Sequence, residues 1–117
     1  MNRALIVARI APNAQDEVAH IFGQSDRGGL PQELGVRERS LYVLDDVYIH
    51  AVTFDRDVQA AMAVAREHPG FVEISDRLRP YITPYNPRTW RSPRDAMARR
   101  FYQWAAGSPD MIGRSSG

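Results

Sequence analysis

The feature that most constrains the fold is a pair of β-prone segments separated by two acidic residues. Val36–Leu44 and Val47–Phe54 are rich in β-branched and aromatic residues, and Asp45 and Asp46 between them suit a tight turn. This pattern predicts an antiparallel hairpin in which Leu41 lies opposite His50. Any fold of this chain therefore has to provide a suitable environment for both faces of that hairpin.

Side chains alternate between the two faces of a strand, so the turn determines which residues share a face. One predicted face, called the His50 face below, carries Arg37, Arg39, Leu41, Val43, Tyr48, His50, Val52 and Phe54. The opposite face carries Val36, Glu38, Ser40, Tyr42, Leu44, Val47, Ile49, Ala51 and Thr53. Both faces are largely apolar. If helices cover one of them, the other should be buried against a second sheet, which predicts a homodimer.

Ahead of the hairpin, the sequence predicts one strand and one helix. Residues 4–10 form an almost continuous apolar run that ends before Pro12, which favours a buried strand. Asn13 then suits a helix cap, and apolar residues recur at the helical period until Gly23. Residues 24–31 contain Asp, Gly and Pro and are typical of a loop.

After the hairpin, apolar residues at helical spacing follow Asp55 and predict a helix that ends near Pro69. The remainder suggests a short helix at 71–78, a proline-rich arm at 80–93, a last strand at 98–105 and a disordered tail at 108–117. The order β-α-β-β-α-(α)-β matches the ferredoxin-like motif. We therefore expect an α+β fold with a four-stranded antiparallel sheet, in one domain that spans residues 1–107.

Composition narrows the classes of partner and chemistry. The chain has 117 residues, 15 basic and 14 acidic, so its net charge gives no reason to expect nucleic acid or a membrane as partner. Its length leaves no room for separate cofactor-binding and substrate domains. The chain has no cysteine, His20 and His68 have no second ligand at metal spacing, and no phosphate-binding glycine loop is present. We expect a cytoplasmic protein that uses neither a metal nor an organic cofactor.

Three polar residues stand out as candidates for chemistry. In the predicted register Arg39 lies diagonal to His50, within reach of a long side chain. Either the two act together on a substrate, or Arg39 neutralises a carboxylate while His50 is a satisfied core histidine. The carboxylate of Asp26 could lie over the end of the sheet, or Asp26 could be an ordinary turn residue. The aromatic residues of the arm and the last strand suit a planar polycyclic ligand, and equally a core or a dimer interface.

Several sequence blocks, taken together, resemble the tetracenomycin-type aromatic polyketide cyclases. They are LPQELGVRERSLYVLDDVYIHAV (30–52), HPGFVEISDRL (68–78), YITPY (81–85) and RRFYQW (99–104), in the same order and spacing over about residues 3–105. The resemblance implies ferredoxin-like monomers that pair through their sheets as a dimeric α+β barrel. It also implies an enzyme of antibiotic or spore-pigment biosynthesis that closes rings on poly-β-ketone intermediates by aldol condensation and dehydration, without a cofactor.

The resemblance places the family's site on Asp26, Arg39 and His50 of this chain. In this hypothesis His50 removes a proton, Arg39 holds the enolate oxygen, and Asp26 orients His50 or handles the proton lost as water. Relatives can carry a His directly before the Asp, where this chain has Ser25. The residues expected to contact substrate are Ser25, Tyr48, Phe54, Tyr81 and Trp104.

The expected partners are a polyketide intermediate, a second copy of the chain, and components of a type II polyketide synthase. Two other functions stay open at this point: a cofactor-independent monooxygenase of the same barrel architecture that acts on a polycyclic phenol, and a non-catalytic polyketide-binding or assembly protein. Neither the substrate's chain length, nor which ring is closed, nor the type of pathway follows from these residues.

Overall fold

The computed structural model describes residues 2–91 and 93–107. The predicted tail at 108–117 lies outside the described residues. The elements in chain order are β1 (Arg3–Ile10), α1 (Gln15–Arg27), α2 (Leu30–Leu34), β2 (Val36–Leu44), β3 (Val47–Phe54), α3 (Val58–Glu67), α4 (Pro69–Leu78), β4 (Ile82–Pro84) and β5 (Met97–Ala98), with a short 3₁₀ turn at Pro93–Ala96.

The strands form one antiparallel sheet in the order β2-β3-β1-β4, which is the ferredoxin-like order. The predicted α+β class is confirmed, but within the described residues the sheet has five strands rather than four. The fifth, β5, pairs with β1 at Leu5 and Ile6, beside the part of β1 that β4 occupies. Two short strands thus share one edge of β1.

The register of the hairpin is the predicted one along most of its length. Leu44 pairs with Val47 across the turn, and Leu41 lies opposite His50. A β-bulge interrupts the ladder between Val36 and Glu38. Because of this bulge, Val36 pairs with Phe54 and packs on the His50 face, whereas Arg37, which was predicted to lie on that face, is exposed. The predicted faces of Val36 and Arg37 were therefore wrong.

Helices cover the His50 face of the sheet. Helix α1 contributes Val18, Ile21 and Phe22, whose spacing puts them on one side of the helix, and they pack with Tyr48 and with Ile74 of α4. A second cluster joins α3 to the other end of β3. The opposite face of the sheet has no helix on it among the described residues, and Tyr42 and Leu44 on that face are exposed.

Helix α1 is longer than predicted and runs through Gly23 to Arg27. A glycine inside a helix costs about 1 kcal/mol, which is less than the roughly 2 kcal/mol gained by burying each large apolar side chain next to it. Asp26 therefore lies in the last helical turn and not in a loop. Helix α2 begins at Leu30 and includes the last two residues of that predicted loop.

The C-terminal segment also differs from its prediction. The arm at 80–93 contains β4, and the last strand is Met97–Ala98 instead of 98–105. Phe101 and Tyr102 are adjacent, so the aromatic side chains of residues 99–105 cannot all lie on one face of a strand. Within the part of the chain that the structure describes, no helix has the length and apolar character needed to cross a membrane.

Candidate active site

A cavity of about 470 Å³ lies between the His50 face of the sheet and the helices. Most of its lining is apolar and comes from α1, α4 and the sheet. Its polar lining consists of Ser25, Arg39, Tyr48, His50, Ser75, Arg79 and Thr83. A small set of polar groups in an apolar cavity is typical of a small-molecule site.

Arg39 is the centre of the polar lining. Its Nη2 and Nε atoms donate to Oδ1 and Oδ2 of Asp26, at 2.8 and 3.2 Å, so the two side chains form a bidentate ion pair. Its Nη1 atom lies 3.0 Å from Nε2 of His50. Only 15% of the Arg39 side chain is exposed. One guanidinium therefore joins the carboxylate of α1 to the imidazole of β3.

The contact with Arg39 determines the tautomer of His50 and lowers its tendency to be protonated. A guanidinium can only donate hydrogen bonds, so Nε2 of His50 must accept, and the proton of the neutral ring lies on Nδ1. Burial, together with the nearby positive charge of Arg39, lowers the pKa of His50 to about 3. The imidazole is therefore neutral near pH 7.

Phe22 holds both groups from the helix side. Its ring meets the His50 ring edge-on at a centroid distance of 5.2 Å, and the Arg39 guanidinium carbon lies 4.8 Å from the Phe22 ring centre. Phe22 and Asp26 are four residues apart on α1 and so lie on the same face of that helix. Helix α1 thus supplies an apolar support and a counter-charge to the same guanidinium.

Tyr48 places a hydroxyl in the same cavity. The residue is 4% exposed, and burial raises the pKa of its phenol above the ordinary value, although the charge of Arg39 acts in the opposite direction. Among the described residues this hydroxyl has no hydrogen-bond partner. However, none of the described side-chain nitrogen or oxygen atoms is both fully buried and without a hydrogen-bond partner. The hydroxyl is therefore accessible from the cavity and stays protonated.

The structure brings most of the predicted site residues together. Asp26, Arg39 and His50 are linked by direct contacts, although Asp26 contacts Arg39 and reaches His50 only through it. Ser25, Tyr48 and Phe54 line the cavity. The structure does not bring Tyr81 or Trp104 to this cavity: the first packs against the core cluster of Ile74, and the second is 58% exposed.

Trp90 is one of the aromatic residues of the arm that suit a planar ligand, but it was not among the residues expected to contact substrate. It lines the cavity together with Pro93 and Ala96, from the arm and the 3₁₀ turn. The available signal was the block YITPY, whose central residues Ile82–Pro84 form β4 and return the arm to the edge of the sheet. That signal did not indicate where the indole would lie.

His68 has a structural role outside the cavity. Its Nδ1 accepts from the backbone N–H of Gly70, which caps α4, and its Nε2 contacts Oε1 of Glu33 at 2.6 Å. This joins α2 to α4. Within residues 2–91 and 93–107, no group of three or more His, Asp and Glu side chains is arranged to hold a metal ion.

Comparison with known proteins agrees with this geometry. The family model for polyketide synthesis cyclases matches residues 2–105. The chain is 47% identical over 104 residues to the polyketide synthase CurG of Streptomyces cyaneus, covering 89% of this chain and 97% of that protein. It is 39% identical over 104 residues to tetracenomycin F2 cyclase of Streptomyces glaucescens, covering 89% of this chain and 94% of that protein.

The solved structure of tetracenomycin F2 cyclase, described as a type-II polyketide cyclase, superimposes with a TM-score of 0.81 at 39% identity. The match covers 91% of this chain and 99% of that one. A putative antibiotic biosynthesis monooxygenase from Chloroflexus aurantiacus matches with a TM-score of 0.52 at 13% identity over 70% of this chain and 81% of that one, which shows a shared fold alone. The sequence match, the fold and the cavity together show that this chain belongs to the polyketide synthesis cyclase family.

Proposed function

We propose that this chain closes and aromatises a ring on a poly-β-ketone intermediate, by an intramolecular aldol condensation followed by dehydration. The observation that carries the proposal is the position of Arg39, which joins Asp26 and His50 at the wall of a largely apolar cavity. A fixed cation beside a neutral imidazole suits a reaction that removes a carbon-bound proton and builds negative charge on oxygen.

The substrate has to change the contacts of Arg39 before His50 can act as a base. In the free protein the Nε2 lone pair of His50 accepts from Arg39, and its pKa of about 3 makes it a poor base. A substrate carbonyl oxygen that takes the Arg39 Nη1 hydrogen bond frees this lone pair. Negative charge that develops on that oxygen also favours the protonated imidazole, because opposite charges stabilise each other in an apolar site.

The chemical steps then balance with these groups alone. His50 takes a proton from a methylene between two carbonyls, which gives an enolate whose oxygen Arg39 stabilises. The enolate carbon bonds to a second carbonyl carbon of the same chain, and the resulting alkoxide takes the proton back from His50. Loss of this hydroxyl and of a neighbouring proton as water leaves a double bond, and enolisation of the remaining ketones completes the aromatic ring.

Asp26 and Tyr48 support these steps without taking the first proton. The bidentate contact with Asp26 fixes the plane of the guanidinium and therefore the direction of its free N–H groups. The Tyr48 hydroxyl, which stays protonated, can donate to a second carbonyl of the chain. Two donors at fixed positions restrict how a flexible poly-β-ketone can fold, which favours one ring closure over the others.

The same proposal includes a homodimer, with components of a polyketide synthase as the source of substrate. The uncovered face of the sheet exposes Tyr42 and Leu44, and the segment after β5 exposes Phe101 (96%) and Tyr102. Exposed apolar surface of this kind is typical of a contact between protein chains. A second copy seated on the sheet face would bury it.

Reconstitution with a minimal polyketide synthase tests the proposed function. The ring-closed product should form with the wild-type chain, and a mixture of spontaneous products should form without it and with Arg39→Ala. Arg56→Ala is the control, since Arg56 also forms an ion pair with an aspartate, Asp55, but outside the cavity. Identical product mixtures with and without the wild-type chain would contradict the proposal. Oxygen uptake with a quinone product would favour a monooxygenase instead.

A further inference from the structure

A second cavity lies on the other side of the sheet from the first. It has a volume of about 340 Å³, and its lining includes Val7, Tyr85, Met97 and Ala98. Val7 lies between Ile6 and Ala8, both of which line the first cavity. Because neighbouring residues of a strand face opposite sides, the two cavities lie on opposite faces of β1.

The edge of the sheet is open between the two cavities. β4 pairs with β1 at Ala8 to Ile10, and β5 pairs with it at Leu5 and Ile6. In the described pairings Val7 pairs with β3 but has no partner in β4 or β5, so a gap separates these two strands. The strand pairing along this edge of β1 is therefore interrupted between the two cavities.

Trp90 and Ala96 stand at this gap, since both line the first cavity and the second. Ala96 contributes only a methyl group, so the indole of Trp90, which is 41% exposed, is the larger of the two side chains that the cavities share. A compact turn fixes the position of Trp90: the carbonyl of Asn86 accepts from the backbone N–H of Trp90 at 3.1 Å, and the side chain of Asn86 accepts from the N–H of Arg88 at 3.1 Å.

We propose that Trp90 is a specificity-determining residue, whose indole ends the first cavity and so limits how many fused rings the product can have there. The inference rests on the proposed function, because it takes the ligand to be a planar ring system formed from a poly-β-ketone. The second cavity is then a latent subsite, which accepts an additional ring when the indole is replaced by a smaller side chain.

Stable hydroxyquinones with two, three and four linearly fused rings provide the probes, and calorimetry on the wild-type protein and on Trp90→Ala and Trp90→Phe gives their dissociation constants. Trp90→Ala should improve binding of the four-ring probe relative to the two-ring probe by about 10-fold, the scale of a pocket that gains room for a few carbon atoms. Trp90→Phe should give a smaller change, and the two-ring probe is the internal control in each protein.

Two results would overturn the inference. If Trp90→Ala is folded by circular dichroism but weakens all three probes equally, the indole is a contact surface and not a wall, and this inference alone fails. If the folded wild-type protein binds none of the probes, the inference fails together with the proposed function.

Discussion

At the scale of single residues, the site depends on how one arginine is shared. Arg39 gives two donors to Asp26, a third to His50, and the face of its guanidinium to Phe22. The three partners come from two elements, α1 and β3, while Arg39 comes from β2. Movement of Arg39 toward a substrate oxygen would therefore also free the Nε2 lone pair of His50 from its hydrogen bond.

The lowered pKa of His50 predicts a specific dependence of stability on pH. The unfolded chain has an ordinary histidine pKa near 6.5, whereas the pKa in the folded protein is about 3. Between these values the unfolded chain binds the proton more tightly, so the free energy of unfolding falls as the pH is lowered. The contribution of His50 should decrease by about 2 kcal/mol from about pH 7 to about pH 5.

Urea denaturation at several pH values checks this prediction. His50→Gln should lose less stability than wild type over that interval, because Gln takes up no proton. His20→Gln, at an exposed position of α1, is the control and should keep the wild-type dependence. If His50→Gln and wild type lose stability in parallel, the imidazole is not held neutral as described.

The sequence alone was sufficient to bring Arg39 and His50 together, because hairpin register is a local property set by the two-residue turn. The role of Asp26 came from the resemblance to a family and not from spacing, since its helical position depends on α1 continuing past Gly23. Trp90 could not be placed, because the path of the arm depends on the long-range pairing of β4 with β1.

At the scale of elements, the connection between α2 and β2 determines how Arg39 enters the site. Gly35 follows α2 with a φ of 79°, in the left-handed region that glycine adopts without strain. The bulge after it brings Val36 onto the His50 face. A Cβ on Gly35 would collide with Oδ1 of Asp55 and would lie 2.8 Å from Nε of Arg56.

Gly35→Ala should therefore destabilise the fold more than an alanine at another glycine of similar conformation. Gly29, with a φ of 90°, is the matched control, because a Cβ there meets no described atom within 4 Å. We expect Gly29→Ala to cost about 1 kcal/mol, from backbone strain alone, and Gly35→Ala to cost about 2–4 kcal/mol, from strain and overpacking together. Chemical denaturation measures both, and equal losses would show that the Asp55–Arg56 pair moves aside freely.

At the scale of the whole molecule, the uncovered face of the sheet is the reason to expect a dimer. Leu44 is 74% exposed on that face, a large value for an apolar residue in a well-ordered strand. The prediction of a dimer follows from this face and from the pattern of the hairpin, and both rest on the alternation of side chains along β2 and β3. Two features could not be predicted in the same way: which of the two apolar faces the helices cover, and the division of the sheet edge between β4 and β5.

Leu44→Glu should convert the dimer to a monomer, because burying a charge without a partner costs several kcal/mol. Light scattering at micromolar concentration measures the mass. Val64→Glu introduces the same charge at an exposed apolar position of α3, and it should leave the assembly unchanged. A monomeric wild-type protein, or a Leu44→Glu protein that remains a dimer, would exclude this face as the contact.

The central claim, that Arg39 stabilises the oxygen on which charge develops, is tested most directly by single-turnover rates of ring closure. Melting temperature is measured on the same preparations, so that loss of fold is separated from loss of chemistry. Arg39→Ala should lower the rate by roughly 10²–10³-fold, the usual cost of removing one oxyanion donor. Arg39→Lys should recover only part of the rate, because an ammonium keeps the charge but not the planar arrangement of donors. Arg56→Ala should keep the wild-type rate, and a folded Arg39→Ala protein that also kept it would contradict the account.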